Sequence, residues 1–170
     1  LQPGVRGVDS SSTAPAVNTV DVTAPSSSPA VMSREVLPPD VSTMDLAEAP
    51  RIVGGGAGLA DAERFSQLAE FARTIDASMG VTRVITDRGW APHQRQIGTT
   101  GIVVDPTLYL AFGISGAVQH TSGLGQPDHI ISVNTDAHCP MMQMSDLAIV
   151  SDANAVLDEL AALLSKDAAS

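Results

Sequence analysis

Cysteine is nearly absent: Cys139 is the only one in 170 residues. No intrachain disulfide can form and no zinc cluster can be built from thiolates, which fits a reducing compartment. Aromatic residues make up 3% of the chain, so most of its 44% apolar content is Ala, Val, Ile and Leu. That bulk suits strands covered by helices. Basic residues are scarce, 9 against 19 acidic ones, for a net charge of -10. Such a chain repels nucleic acid and anionic membrane, and neither is expected as a partner. An anionic ligand must then be held by local dipoles and a few cations. No uninterrupted apolar run is long enough to cross a bilayer, so no membrane insertion is expected. A charged start followed by an apolar block, the mark of a signal peptide, is missing. The first residue is Leu1 and not Met, which reads as a processed chain or a fragment.

Catalytic patterns are as thin. No Walker loop occurs. Gly113-Ile114-Ser115-Gly116 has its second glycine one place too early for a nucleophile elbow. Ser115 and His120 could make a hydrolase pair, but no orienting acid is evident. His120, His129 and His138 lack metal-ligand spacing, and Cys139 beside His138 adds too little. A site of this kind is made to hold a cofactor that carries its own chemistry.

Prolines crowd the first part of the chain. Pro3, Pro15, Pro25, Pro29, Pro38, Pro39 and Pro50 punctuate a Ser/Thr/Ala-rich stretch. Their spacing forbids a long helix, and little here can form a core. Ala16 to Val22 and Arg34 to Leu37 each read as a short edge strand. Residues 1–50 are expected to be a linker or tail, and residues 51–170 the compact domain.

The compact part alternates strands and helices. Arg51-Ile52-Val53 reads as a strand, followed by the glycine cluster Gly54-Gly55-Gly56-Ala57-Gly58. That cluster fits a dinucleotide loop or a plain tight connection, and it matches Gly-x-Gly-x-x-Gly poorly. Asp61 is placed to cap a helix whose apolar spacing runs to Met79, with Gly80 as its stop. Val81 to Thr86 reads as a strand carrying Arg83, which either faces solvent at an edge or meets an anion at the sheet end. The second is favoured, because burying an unpaired guanidinium is costly. Trp90 reads as a packing residue, and His93 as exposed.

Ile97 to His120 is the centre of the pattern: a glycine-bounded hydroxyl loop, a short strand at Ile102-Val103-Val104, a proline turn and a second apolar strand. A polar turn then opens a helix near Gly116. Such a turn can hold a phosphate, since the first amides of a helix have no internal partner. His129 to Asn134 and Leu147 to Val150 are the last strands, and Asn154 is placed to cap the final helix. Alternation with short connections predicts a parallel sheet covered on both faces, with ligands bound beyond the carboxyl ends of its strands. Gly54, Asp87, Ser115, Asn134 and Asp152 fall there. Asn134 and Asp152 fit either ribose and adenine contacts or turn and capping roles.

Gln96-Ile97-Gly98-Thr99-Thr100-Gly101 and Pro106-Thr107-Leu108-Tyr109-Leu110-Ala111-Phe112-Gly113-Ile114-Ser115-Gly116-Ala117-Val118-Gln119-His120 closely resemble the C-terminal domain of the electron transfer flavoprotein alpha subunit. The likeness extends from about Arg51 to Leu164. It implies an α/β fold, a Rossmann-like (DHS-like NAD/FAD-binding) parallel sheet with helices on both faces, and FAD as cofactor. By position, Thr82 and Arg83 would lie near the flavin. Ile97, Gly98, Thr99 and Thr100 would form the loop along the ring, with the Thr100 hydroxyl near its N5 edge. Ser115, Gly116, Ala117, Val118 and Gln119 would hold the pyrophosphate and ribityl region. His120 would sit near the pyrimidine carbonyl, and Asn134 and Asp152 would contact the adenosine half.

The resemblance also implies an electron carrier without substrate turnover of its own. It would act in a heterodimer with an electron transfer flavoprotein beta subunit. Electrons would pass from flavin dehydrogenases of the acyl-CoA dehydrogenase type, as in fatty acid beta-oxidation, to a quinone-linked acceptor. The implied location is the cytoplasm of a bacterium or the mitochondrial matrix of a eukaryote. Arg83 and His120 beside the ring would favour negative charge on it and raise its potential, and if His120 is protonated its pKa should respond to the flavin's redox state. Three features depart from the family pattern. Ala57 stands where the family usually carries arginine, Thr99 where it carries glutamine, and the family's N-terminal domain is not seen. The two substitutions predict weaker FAD binding or an altered potential. They also open a second reading: a module of the same fold that holds a nucleotide or partner and has lost redox activity.

Overall fold

The computed structural model describes Thr19, Val20 and residues Leu46 to Asp167. The edge strand expected at Arg34 to Leu37 lies outside these residues, as does the one at Ala16 to Val22 apart from Thr19 and Val20, which carry no regular structure. The packed part begins ahead of Arg51. Leu46 and Ala49, at a short 3-10 turn over Leu46–Glu48, are buried against one face of the sheet.

Five parallel strands form the sheet: β1 (Arg51–Gly55), β2 (Ser78–Val81), β3 (Leu108–Phe112), β4 (His129–Asn134) and β5 (Leu147–Val150), in the order β2-β1-β3-β4-β5. This is a doubly wound α/β sheet, as the alternating pattern predicts. Its order reverses between β1 and β3, where the connections leave in opposite directions and open a crevice.

Helices α1 (Ala62–Thr74) and α5 (Ala153–Asp167) pack on one face of the sheet. Phe65, Leu68 and Phe71 of α1 meet Val53, Phe112, Val133 and Leu157 there. Each such fully buried side chain contributes about 1.5–3 kcal/mol. The other face carries Ile52, Tyr109, Ala111 and Ile130, covered by Leu46, Ile97, Leu124 and the single turn α4 (Pro140–Gln143). Trp90 packs against Phe65, with ring centroids 5.9 Å apart, and carries the Arg88 guanidinium 4.8 Å above its ring.

Three expectations about elements are corrected. The first helix stops at Thr74, and Asp76, at φ 53°, turns the chain so that Ser78 to Val81 becomes β2. Met79 continues the helical spacing, but its backbone pairs with Val53. Val81 to Thr86 is not a strand: α2 (Arg83–Asp87) begins directly after β2, opened by Thr82, whose carbonyl accepts from the Ile85 amide. Ile102 to Val104 makes only single bridges, to Ile97 and Leu124. The helix after Gly116 is one turn, α3 (Val118–Thr121).

The start of α5 also differs from the expected Asn154 cap. Asp152 Oδ1 accepts from the Asn154 backbone amide at 2.8 Å and from its Nδ2 at 2.8 Å. The Asn154 side chain reaches instead to the connection after β1. It accepts from the Ala60 amide at 3.1 Å and donates to the Gly58 carbonyl at 3.1 Å.

Candidate functional site

The connections leaving β1 and β3 meet at the switch point. Gly113 follows β3 at φ 63°, a left-handed conformation that glycine adopts without cost. A Cβ there would stand 2.6 Å from Gly58 Cα, so the two backbones touch. The Gly58 amide donates to the Gly113 carbonyl at 3.0 Å and fixes the contact. Across the crevice, Gly98 sits at φ 140° against the Gln119 carbonyl, and the Thr99 amide donates to that same carbonyl at 2.8 Å.

Between these walls lies a cavity of about 600 Å³, within the usual range for small-molecule sites. Twelve of the residues expected at the site line it: Thr82, Arg83, Ile97, Gly98, Thr99, Thr100, Ser115, Gly116, Ala117, Gln119, His120 and Asn134. Val118 and Asp152 do not. Val118 is exposed on the outer side of α3, beside Met144, and Asp152 caps α5. Gly54, expected beyond the strand end, lies within β1 against the Tyr109 hydroxyl. Ala57, Gly58, Val84, Asp87, Gln96, Gly113 and Ile114 complete the lining.

The turn from Ser115 to Gln119 presents donors. Among the described residues, no protein acceptor takes the amides of Ser115, Gly116, Ala117, Val118 and Gln119. Asn134 holds this turn in place: its Nδ2 donates to the Ile114 carbonyl at 3.0 Å, and its Oδ1 accepts from the Asp136 amide at 3.1 Å. Because α3 is one turn long, its contribution is these individual N–H groups and not an extended helix dipole.

Arg83 lies on α2, is well exposed and pairs with Asp87, four residues on, at 3.4 Å. It therefore reaches the cavity rim with its charge partly offset. His120 is buried, with Nδ1 3.2 Å from the Ile97 carbonyl and Nε2 2.9 Å from the Tyr109 hydroxyl. A ring nitrogen facing a carbonyl must carry the proton, so Nδ1–H donates to Ile97 and Nε2 accepts from Tyr109. Burial pushes the imidazole pKa down from 6.5 to about 4, against the opposing pull of the Ile97 carbonyl. His120 is thus neutral at pH 7, and the condition of a protonated ring beside the flavin is not met. Both its nitrogens are committed to other groups, which removes the hydrolase pairing with Ser115. Burial also raises the Tyr109 phenol pKa and keeps it protonated.

Gln96 was quoted in the sequence pattern but given no role there. It is buried, and its Oε1 accepts from Thr86 Oγ1 at 2.6 Å while its Nε2 donates to Thr100 Oγ1 at 2.9 Å. Its position beside the hydroxyl loop was the available signal. Thr99 bonds Ser122 Oγ at 2.7 Å, turned toward α3.

The residues present suit FAD. Gly58, Gly113 and Gly116 are fixed by close packing, since a Cβ at each would collide with neighbouring protein, and all three lie along the cavity wall. Ser115, Gly116, Ala117 and Gln119, whose amides have no protein acceptor among the described residues, line the same space, where a diphosphate finds donors. The loop from Ile97 to Thr100 offers an apolar and hydroxyl-bearing edge for a ring system. The fold and this crevice define a doubly wound cofactor-binding domain.

Residues 45–125 match the model of the electron transfer flavoprotein FAD-binding domain. Over that stretch the chain carries the FAD-binding domain of the electron transfer flavoprotein alpha family. It is 46% identical over 121 residues to the mitochondrial electron transfer flavoprotein subunit alpha of Oryza sativa subsp. indica. That alignment covers 71% of this chain and 34% of the rice protein. It is 42% identical over 118 residues to the subunit alpha of Clostridium acetobutylicum, covering 69% and 35% of the two chains. It is 44% identical over 123 residues to protein FixB of Bradyrhizobium diazoefficiens, covering 72% and 33%. The chain spans about a third of the length of these relatives. Among the described residues, no helix is long and apolar enough to cross a membrane.

Proposed function

We propose that this chain holds FAD in the switch-point cavity and carries electrons as part of a two-subunit electron transfer flavoprotein. The observation that carries this reading is the joining of the Ile97 to Thr100 loop with Ser115, Gly116, Ala117 and Gln119, whose amides have no protein acceptor among the described residues, around one cavity of about 600 Å³. The loop edges the ring, with the Thr100 hydroxyl toward N5, and the turn receives the diphosphate. Bound FAD supplies the redox chemistry. The protein positions it, offers hydrogen bonds to its rim and tunes its charge. Arg83, partly offset by Asp87, is the cation nearest this task. His120 contributes as a neutral dipole, held by Tyr109 and Ile97. Asp152 stabilises the start of α5, and Asn134 the diphosphate turn.

A beta subunit completes the assembly in this proposal. Donors are flavin dehydrogenases of the acyl-CoA dehydrogenase type, and a quinone-linked acceptor takes the electrons. Its setting is the bacterial cytoplasm or the mitochondrial matrix.

The test is the visible absorption spectrum of the purified chain titrated with FAD, with and without a beta-type subunit. Flavin bands that shift on binding, and bleach when a reduced dehydrogenase is added, are the expected result. A colourless chain that leaves FAD fluorescence unquenched under both conditions refutes the reading. Ala57 and Thr99 favour a second reading, a flavin or nucleotide holder without redox traffic. That reading requires binding without reduction by any dehydrogenase.

A further inference from the structure

Gln96 lies almost fully out of solvent, at 1% exposure, between two hydroxyls. One belongs to Thr86 on α2, the other to Thr100 at the cavity. Oxygen–oxygen hydrogen bonds centre near 2.7–2.8 Å and nitrogen–oxygen ones near 2.9–3.0 Å. In the structure Oε1 accepts from Thr86 at 2.6 Å and Nε2 donates to Thr100 at 2.9 Å. Thr100 is then an acceptor toward Gln96, and its own proton is free to point into the cavity.

The same three groups have a second consistent arrangement. Thr86 Oγ1 also lies 2.8 Å from the Arg83 carbonyl. If the Gln96 amide turns over, Nε2 donates to Thr86, which gives its proton to that carbonyl. Oε1 then accepts from Thr100, and Thr100 presents a lone pair to the cavity. Both arrangements keep every buried polar group paired, so neither carries the cost of an orphaned donor. Asn154, by contrast, is held at both ends by a backbone amide and a backbone carbonyl and has only one orientation.

We infer that Gln96 is a positioning residue: a reversible amide relay between Thr86 and Thr100 that sets whether Thr100 donates to the bound ring or accepts from it. The inference rests on the proposal that the flavin ring lies along this loop. A ring edge that is an acceptor when oxidised and carries hydrogen when reduced would be matched in both states by one hydroxyl. The relay needs no ionisable side chain, which suits a buried position.

The test uses the full chain and FAD, oxidised or chemically reduced without air. Gln96→Met keeps the bulk and removes both polar ends. Its expected effect is a roughly tenfold change in the ratio of the two affinities. That change equals about 30 mV in the two-electron potential of the bound flavin. Thr100→Val removes the hydroxyl, and in that background Gln96→Met should leave the ratio unchanged. Redox-difference infrared spectra of the wild type should show the glutamine side-chain carbonyl shifting on reduction, a band absent from Gln96→Met. Equal weakening of both affinities by Gln96→Met would make Gln96 a packing residue only and overturn the inference. So would an unshifted carbonyl, or an effect that persists in Thr100→Val. A wild-type chain that binds no FAD would instead refute the proposed function, which separates the two failures.

Discussion

The sharpest prediction concerns acid and His120. In the folded chain its pKa lies near 4, against 6.5 for an ordinary histidine, because burial disfavours the charged ring. A depressed value means that the unfolded chain takes up a proton in a range where the folded chain does not. Stability is therefore intact above pH 6.5 and falls as pH drops toward 4, below which both states are protonated and the loss stops. Each pH unit in that window costs about 1.4 kcal/mol, so the loss sums to about 3 kcal/mol. Urea unfolding of the flavin-free chain at half-unit pH steps measures it directly. His120→Gln, which keeps a neutral amide, should flatten the curve between pH 6.5 and 4 whatever its absolute stability. The carboxylates move elsewhere. Asp152, held low chiefly by its hydrogen bond from the Asn154 side chain, retains its contribution above pH 3.8 and loses it only at lower pH. Equal slopes for wild type and His120→Gln, or a His120 ring that titrates near 6.5 by proton NMR, would refute the reasoning.

Other expectations are shorter. Gly113→Ala forces a side chain into the Gly58 backbone at a left-handed φ, so it should destabilise by roughly 2–4 kcal/mol in urea and abolish flavin binding. Asn154→Ala cuts two ties to the β1–α1 connection and should cost about 1–3 kcal/mol by the same assay. Asp87→Asn frees Arg83 from its exposed ion pair. Melting temperature should barely move, since such pairs contribute about 0–1 kcal/mol, while the bound-flavin potential measured by dye equilibration should rise. Ala57→Arg adds a cation at the cavity wall and should tighten FAD binding in a fluorescence titration.

Much of the sheet was legible because β3, β4 and β5 are apolar runs bounded by turn residues, and Asp61 caps α1 through the Arg64 amide as read. The misreadings share a cause: local preference was overridden by tertiary contacts. Val84, Ile85 and Thr86 are β-branched and invite a strand, yet only Ile85 is buried, and one buried residue per turn is a helix. Met79 fell on the helical spacing by coincidence, and the pairing of Ser78 to Val81 with β1 is a nonlocal fact. The site was legible as a loop and a turn because glycines and hydroxyls cluster there. The neutrality of His120 was not, since it follows from the burial of its ring in the folded chain. Asn154 was read as the cap of α5 because it and Asp152 are both good caps, and only the distances to Gly58 and Ala60 show where its side chain goes.

The touching backbones of Gly58 and Gly113 have an effect on how a ligand is received. Because no side chain stands between the two connections, neither can swing aside without tearing a strand end from the sheet. The receiving surface is thus preorganised: its ordering entropy is spent when the protein folds, not when the cofactor arrives. A cofactor docking on it meets a mould, and exchange should be governed by how fast it escapes and hardly at all by how fast the protein reshapes.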